Sequence, residues 1–212
     1  MSSRLGDVVS GSNSVVFSAL IVNYMYPLSL SKILSVLVGN YLGESKPLLA
    51  KRAAYLGVIL ITAVLLVVVG ILFVCRGIIP YMYTNDQKVV DLSSGLLRVV
   101  CLVAIFDGLN GTLSGILRGA GRPNPGFIAN AVCQVGITYP LAIVVGFVLE
   151  KGIYAIWLSM LLGIFCVVLV IAVYLFFLNF DKLSEEAVTR TKPEEIISEF
   201  ALMENEDENE NL

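Results

Sequence analysis

Long apolar runs separated by short polar turns organise this chain. The stretch "GVILITAVLLVVVGILFVC", Gly57 to Cys75, is typical. It lacks the alternation of period two that a lipid-facing barrel strand requires, so its backbone groups must be satisfied inside a helix. A bilayer core about 30 Å thick demands about 20 apolar residues per helical span. Five runs meet that length: Ser14 to Val38, Ala53 to Ile79, Leu92 to Leu117, Phe127 to Leu149 and Ile153 to Phe180. The pattern predicts an all-α, polytopic membrane bundle of five spans over residues 14–180, embedded in the lipid bilayer. The first run is too long for a secretory leader, contains Lys32 and lacks a small-residue cleavage site, so it reads as a retained span.

Composition supports this reading and removes several functions. The 212 residues are 57% hydrophobic and 15% charged, with no histidine, and the mean hydropathy is +0.85. A soluble globule does not have that balance. Cys75, Cys101, Cys133 and Cys166 all lie on apolar runs with no CxxC spacing, so they read as small hydrophobes and no metal site or other cofactor is expected. There is no glycine-rich loop after a strand and no nucleophile–base constellation, so no enzyme is expected. Without a basic soluble surface, nucleic acid is not an expected partner.

Charge divides the chain. From Asp181 onward there are eleven acids and three bases, whereas the preceding part carries eleven bases and six acids. Residues 181–212 therefore form an acidic tail too charged to build a core, with Glu194 to Met203 able to form a short amphipathic helix. Lys46, Lys51 and Arg52 follow the first span, Arg118 and Arg122 the third, and Lys182, Arg190 and Lys192 the fifth. The positive-inside rule places these residues and the C-terminus in the cytoplasm. A plasma-membrane location is expected.

One ionisable group stands out. Asp107 falls near the centre of the third span, where insertion scales charge a few kcal/mol or more for an ion. At helical spacing it shares a face with Asn110, Gly111 and Ser114, and Gly111 and Gly115 form a GxxxG pair that lets another backbone approach. A carboxyl group withdrawn from water favours its neutral form, which makes Asp107 a candidate proton carrier. Arg98 is nine residues away, about 13 Å along the helix, and is not a direct partner. Asn130 and Gln134 share a face of the fourth span and add hydrogen-bonding groups for a neighbouring helix or a substrate. Pro27, beside Asn23, Tyr24 and Tyr26, and Pro140, beside Thr138 and Tyr139, are the expected bending points of their helices.

Five segments carry a family resemblance: "NYMYPLS" (Asn23 to Ser29), "VGNYLGE" (Val38 to Glu44), "AKRAA" (Ala50 to Ala54), "IFDGLNGTLSGILRGAGRPNPG" (Ile105 to Gly126) and "GIYAIW" (Gly152 to Trp157). In order and spacing they resemble the multidrug and toxic compound extrusion antiporters, the MATE family. Such transporters have twelve helices in two lobes of six, and exchange organic compounds for protons or sodium. The resemblance implies that the five spans are helices eight to twelve, that residues 1–13 are the outer end of a truncated seventh helix, and that the first lobe is missing. It assigns proton coupling to Asp107, and matches Asn110, Asn130, Pro27 and Pro140 to polar and helix-bending positions. Gln134 stands at an aromatic position. Val9, Ser18 and Leu37 stand where relatives carry a glutamate, a second acid and an arginine.

The functional expectation is a truncated or divergent proton-coupled antiporter that exports small organic compounds, cationic ones among them. A first lobe or a homologous chain would complete the pathway. Two alternatives are a non-transporting interaction protein that pairs with a full-length relative through its glycine faces, and a lipid flippase.

Overall fold

The computed structural model describes residues 6–145 and 152–191. Among these the chain is helical, without strands: α1 (Asp7–Gly43), α2 (Pro47–Val74), α3 (Gln87–Gly119), α4 (Pro123–Cys133), α5 (Tyr139–Ile143), α6 (Gly152–Phe176) and α7 (Phe180–Thr191). A π-helical segment, Gln134–Thr138, joins α4 to α5, and two short 3-10 turns follow α2. Five helices are long and apolar enough to cross a membrane, α4 and α5 counting as one span over Pro123–Ile143.

The spans extend the expected runs mainly at their polar ends. α1 starts at Asp7 and passes unbroken through residues 13 and 14, and the buried Ser12 hydroxyl is satisfied within the fold, donating to Val8 O at 2.8 Å. Pro47 and Pro123 open α2 and α4 at positions where a missing N–H costs no helical bond. Asp86 caps α3 by accepting from Lys88 N at 2.9 Å. The expected end of the fourth run at Leu149, and the expected helix from Glu194 to Met203, lie outside the described residues.

α3 is the central element. It packs along α1 for most of its length and also against α2, α4 and α6. One apolar cluster joins Val16, Leu20, Leu96, Val100 and Trp157, and a second, at the opposite end of α1 and α3, joins Val38, Leu42, Ala50, Ile116 and Phe180. Outward, α2 exposes Leu56, Ile59, Leu60, Leu66 and Val67, the apolar surface a bilayer would cover.

Glycine sets the α1–α3 distance. A Cβ on Gly115 would strike the backbone and hydroxyl of Ser31, and one on Gly119 would strike the backbone of Ser35. These glycines let the two helices meet backbone to backbone. At the end of α3, Gly121 adopts φ 69°, which lets the chain turn directly into α4.

The acidic tail opens with structure. α7 lies across the basic end of the bundle, with Asn179 accepting from Asp181 N at 3.0 Å at its start. Phe180 and Leu183 are buried, and Ser184 donates to Leu42 O at 3.0 Å, satisfying a carbonyl at the end of α1. Arg122 in the α3–α4 turn reaches both carboxylate oxygens of Glu186, at 2.7 and 2.8 Å.

Candidate functional site

Helical rotation, about 100° per residue, places Asp107, Ser114 and Arg118 on one side of α3. Gly108, turned about 100° from Asp107, faces α2 and α1, since a Cβ there would meet Leu65 of α2 and the Pro27 ring of α1. The polar side therefore looks away from α2, into a groove flanked by α1 and α4. Arg98 is turned about 180° from Asp107 and is exposed elsewhere.

The α4 wall is held by paired amides. Asn110 Nδ2 donates to Asn130 Oδ1 at 3.0 Å, and Asn130 Nδ2 donates to Asn110 Oδ1 at 3.3 Å and to Gly126 O at 2.9 Å. This pairing fixes the antiparallel register of α3 and α4. Asp107 lies three residues before Asn110 and Gln134 four after Asn130, so both sit about one turn further from the basic end, at a similar depth. Gln134 is half-buried at the first position of the π segment. Asn110 and Asn130 are thus joined directly, whereas Gln134 shares the level of Asp107 without a side-chain bond among the described residues.

The α1 wall is hydroxylic. The Tyr24 hydroxyl lies 3.2 Å from where a Cβ on Gly111 would stand. Ser31 donates to Gly111 O at 2.7 Å and accepts from an Arg118 guanidinium nitrogen at 2.9 Å. Tyr26 donates to Asn23 Oδ1 at 2.9 Å.

Asp107 itself is half-buried. The ion pairs among the described residues are Lys46–Glu44 and Arg122–Glu186, both at the basic end, so no cation is fixed on the Asp107 carboxyl.

Both prolines lie inside spans. Pro27 is buried inside α1, against Gly108, one residue from Asp107. Pro140 follows the π segment; it cannot donate to residue 136, and the widened turn absorbs the missing bond. Thr138 fits because α6 offers Gly163, where a Cβ would collide with the Thr138 hydroxyl.

Ser31 and Arg118 escaped the sequence reading. Arg118 counted only as a flanking base, although it lies four residues past Ser114 on the same face, and helical side chains lean toward the N-terminus. Conversely, Gly111 and Gly115 are covered by α1, so the GxxxG pair serves internal packing and not association with another chain. No group of three or more metal-ligating side chains occurs among the described residues.

These features define a multi-pass α-helical membrane protein with a polar groove beside a central helix. The MatE family profile matches residues 1–144. Multidrug and toxin extrusion protein 2 of Homo sapiens is 32% identical over 176 residues, covering 83% of this chain and 29% of that protein. Multidrug and toxin extrusion protein 1 of Oryctolagus cuniculus is 30% identical over 159 residues, covering 75% of this chain and 28% of its own length. The crystal structure of the eukaryotic MATE transporter AtDTX14 superposes with a TM-score of 0.81 at 27% identity, over 85% of this chain and 40% of that one. The chain belongs to the MatE family. It spans less than a third of the length of these two curated relatives.

Proposed function

We propose that this bundle is one lobe of a proton-coupled exporter of small organic compounds, with Asp107 as the group that takes up and gives back the proton. The observation that carries the reading is a carboxyl group without a counter-ion among the described residues, one position before the Gly108 that packs on Pro27 of α1. An intramembrane acid is costly and therefore rare outside ion and proton paths, and one with no fixed cation is free to exchange its proton as its surroundings change. Protonation from the outer side removes a charge close to Pro27 of α1. That change alters the balance between two packings of α1 against α3 and biases the lobe toward substrate release.

Asn110, Asn130 and Gln134 supply the polar wall, and Pro27 and Pro140 the bending points. A second bundle, in the same polypeptide or another chain, closes the pathway, since alternating access needs two bodies that rock about one site. The basic residues at one end of the bundle support a cytoplasmic C-terminus; a plasma-membrane location is part of the same proposal.

The test is efflux from proteoliposomes of stated inner and outer pH, with the chain supplied together with a complementary first lobe. Asp107→Asn should abolish efflux driven by the pH difference, and Asp107→Glu should retain part of it. Undiminished pH-driven efflux by Asp107→Asn would overturn the reading.

A further inference from the structure

We infer that α2 and α6 hold an anionic phospholipid of the leaflet at the basic end, with its headgroup on Lys51 and Arg52 and one acyl chain in the gap between the two helices.

The packing around α3 sets the place. α1 lies against α2, α4 lies against α6, and all four lie against α3. Two openings are left around the central helix: the polar groove between α1 and α4, and on the opposite side a gap between α2 and α6. The gap therefore faces away from the groove, on the same outer surface as the exposed Leu56 and Ile59 of α2.

This gap is an apolar recess of about 210 Å³, walled by Val58 and Ile59 of α2, Leu113 and Ile116 of α3, and Leu175 and Phe176 of α6. Ile59 is 64% exposed and Phe176 74% exposed. An acyl chain seated between them supplies the van der Waals contacts that the parted helices do not give each other.

Tyr55 joins the gap to a charged recess. It lines both the gap and a second hollow formed with Leu48, Lys51, Arg52 and Leu56 of α2. Lys51 and Arg52 precede Tyr55 by four and three residues and Ile59 follows it by four, so all lie on one face of the helix, the bases about 10–12 Å from Ile59 toward the basic end. Bases, then tyrosine, then aliphatic side chains is the order of a membrane–water boundary.

Both bases are available. They are exposed, and the ion pairs among the described residues, Lys46–Glu44 and Arg122–Glu186, do not include them. Asp181 and Glu185 of α7 line a separate recess with Ser45 and Pro47. Leu48 and Leu56 flank the bases and are exposed, so the charges stand among side chains suited to lipid rather than to a water-soluble acidic segment. A molecule with a negative head and an apolar chain complements both parts, and basic residues at the membrane surface attract anionic lipid.

The experiment is native mass spectrometry of the full chain in neutral detergent, titrated with dioleoylphosphatidylserine or dioleoylphosphatidylcholine, which share their chains. Phosphatidylserine should bind at least about fivefold more tightly. Lys51→Gln with Arg52→Gln should abolish that preference. Lys32→Gln with Lys182→Gln, which removes the same charge from other exposed positions, should leave it. Ala172→Trp, at an exposed position lining the gap, should weaken phosphatidylserine severalfold. Equal binding of the two lipids, equal loss in both double variants, or indifference to Ala172→Trp overturns the inference. Displacement of the lipid by an equal concentration of glycerophosphoserine also overturns it, since the site then takes a soluble anion. So does a preference that emerges only when Glu204→Gln, Glu206→Gln, Glu208→Gln and Glu210→Gln are combined, since the acidic tail is then the occupant. No transport is measured, so these outcomes are independent of what Asp107→Asn does to efflux.

Discussion

Asn110 of α3 and Asn130 of α4 exchange side-chain amide bonds of 3.0 and 3.3 Å, closing one wall of a groove whose deeper end holds Asp107. Each partly buried amide satisfies the other, so the pair sets the register of two helices as well as contributing energy.

Removing one member leaves the other unsatisfied. Asn110→Ala and Asn130→Ala should each destabilise the bundle by about 1 kcal/mol, in the range of interhelical polar bonds in membranes. The double variant should cost less than the sum, which unfolding in mixed micelles measures as a coupling energy. Strict additivity would show that the two amides act independently.

The α1–α3 contact depends on hydrogen-sized side chains. Gly115→Leu should push α1 from α3, break the Ser31 bond to Gly111 O, and lower the melting temperature by several degrees. Gly70→Ala in α2 is the contrasting case, because a Cβ there meets nothing within 4 Å. It should be neutral or stabilising, by up to about 1 kcal/mol from helix propensity. A thermal scan of the two variants separates close packing from a general effect of replacing glycine.

Docking of α7 rests on its apolar side more than on its ion pair. The Arg122–Glu186 contact joins side chains 43% and 31% exposed, and such pairs contribute about 0–1 kcal/mol. Leu183 is 5% exposed, and truncation of a buried leucine costs about 2–5 kcal/mol. Amide exchange of residues 180–189 should therefore accelerate far more in Leu183→Ala than in Glu186→Gln, with α3 unchanged in both. The reverse order would make the ion pair the anchor.

Thr138 and Gly163 share one space at the π segment. Gly163→Ala should displace Thr138 and weaken the α5–α6 contact, lowering thermal stability. Thr138→Ala combined with Gly163→Ala removes the colliding hydroxyl and should recover part of that loss. Failure of the second substitution to recover any stability would mean that the backbone, not the hydroxyl, limits the approach.

Much of this molecule is legible along the chain. Span number and helical class follow from apolar run length, since the bilayer requires both a minimum length and complete backbone bonding. Asp107, Asn110 and Ser114 share a face by period alone, and the motifs from Asn23 to Trp157 identify the family. Other features are visible only once helices are packed. The glycines of α3 read as a surface for another chain until α1 is seen to occupy it. Arg118 reads as a flanking base until Ser31 draws it inward. α7 hides in an acidic segment because its buried side is narrow, Phe180, Leu183 and Ser184. Period and hydropathy are properties of one helix, and they determine what each face is made of. Which face meets which neighbour, and where a charge is left without a partner, depends on steric fit and hydrogen bonding between helices far apart in the chain, and that only the tertiary structure decided.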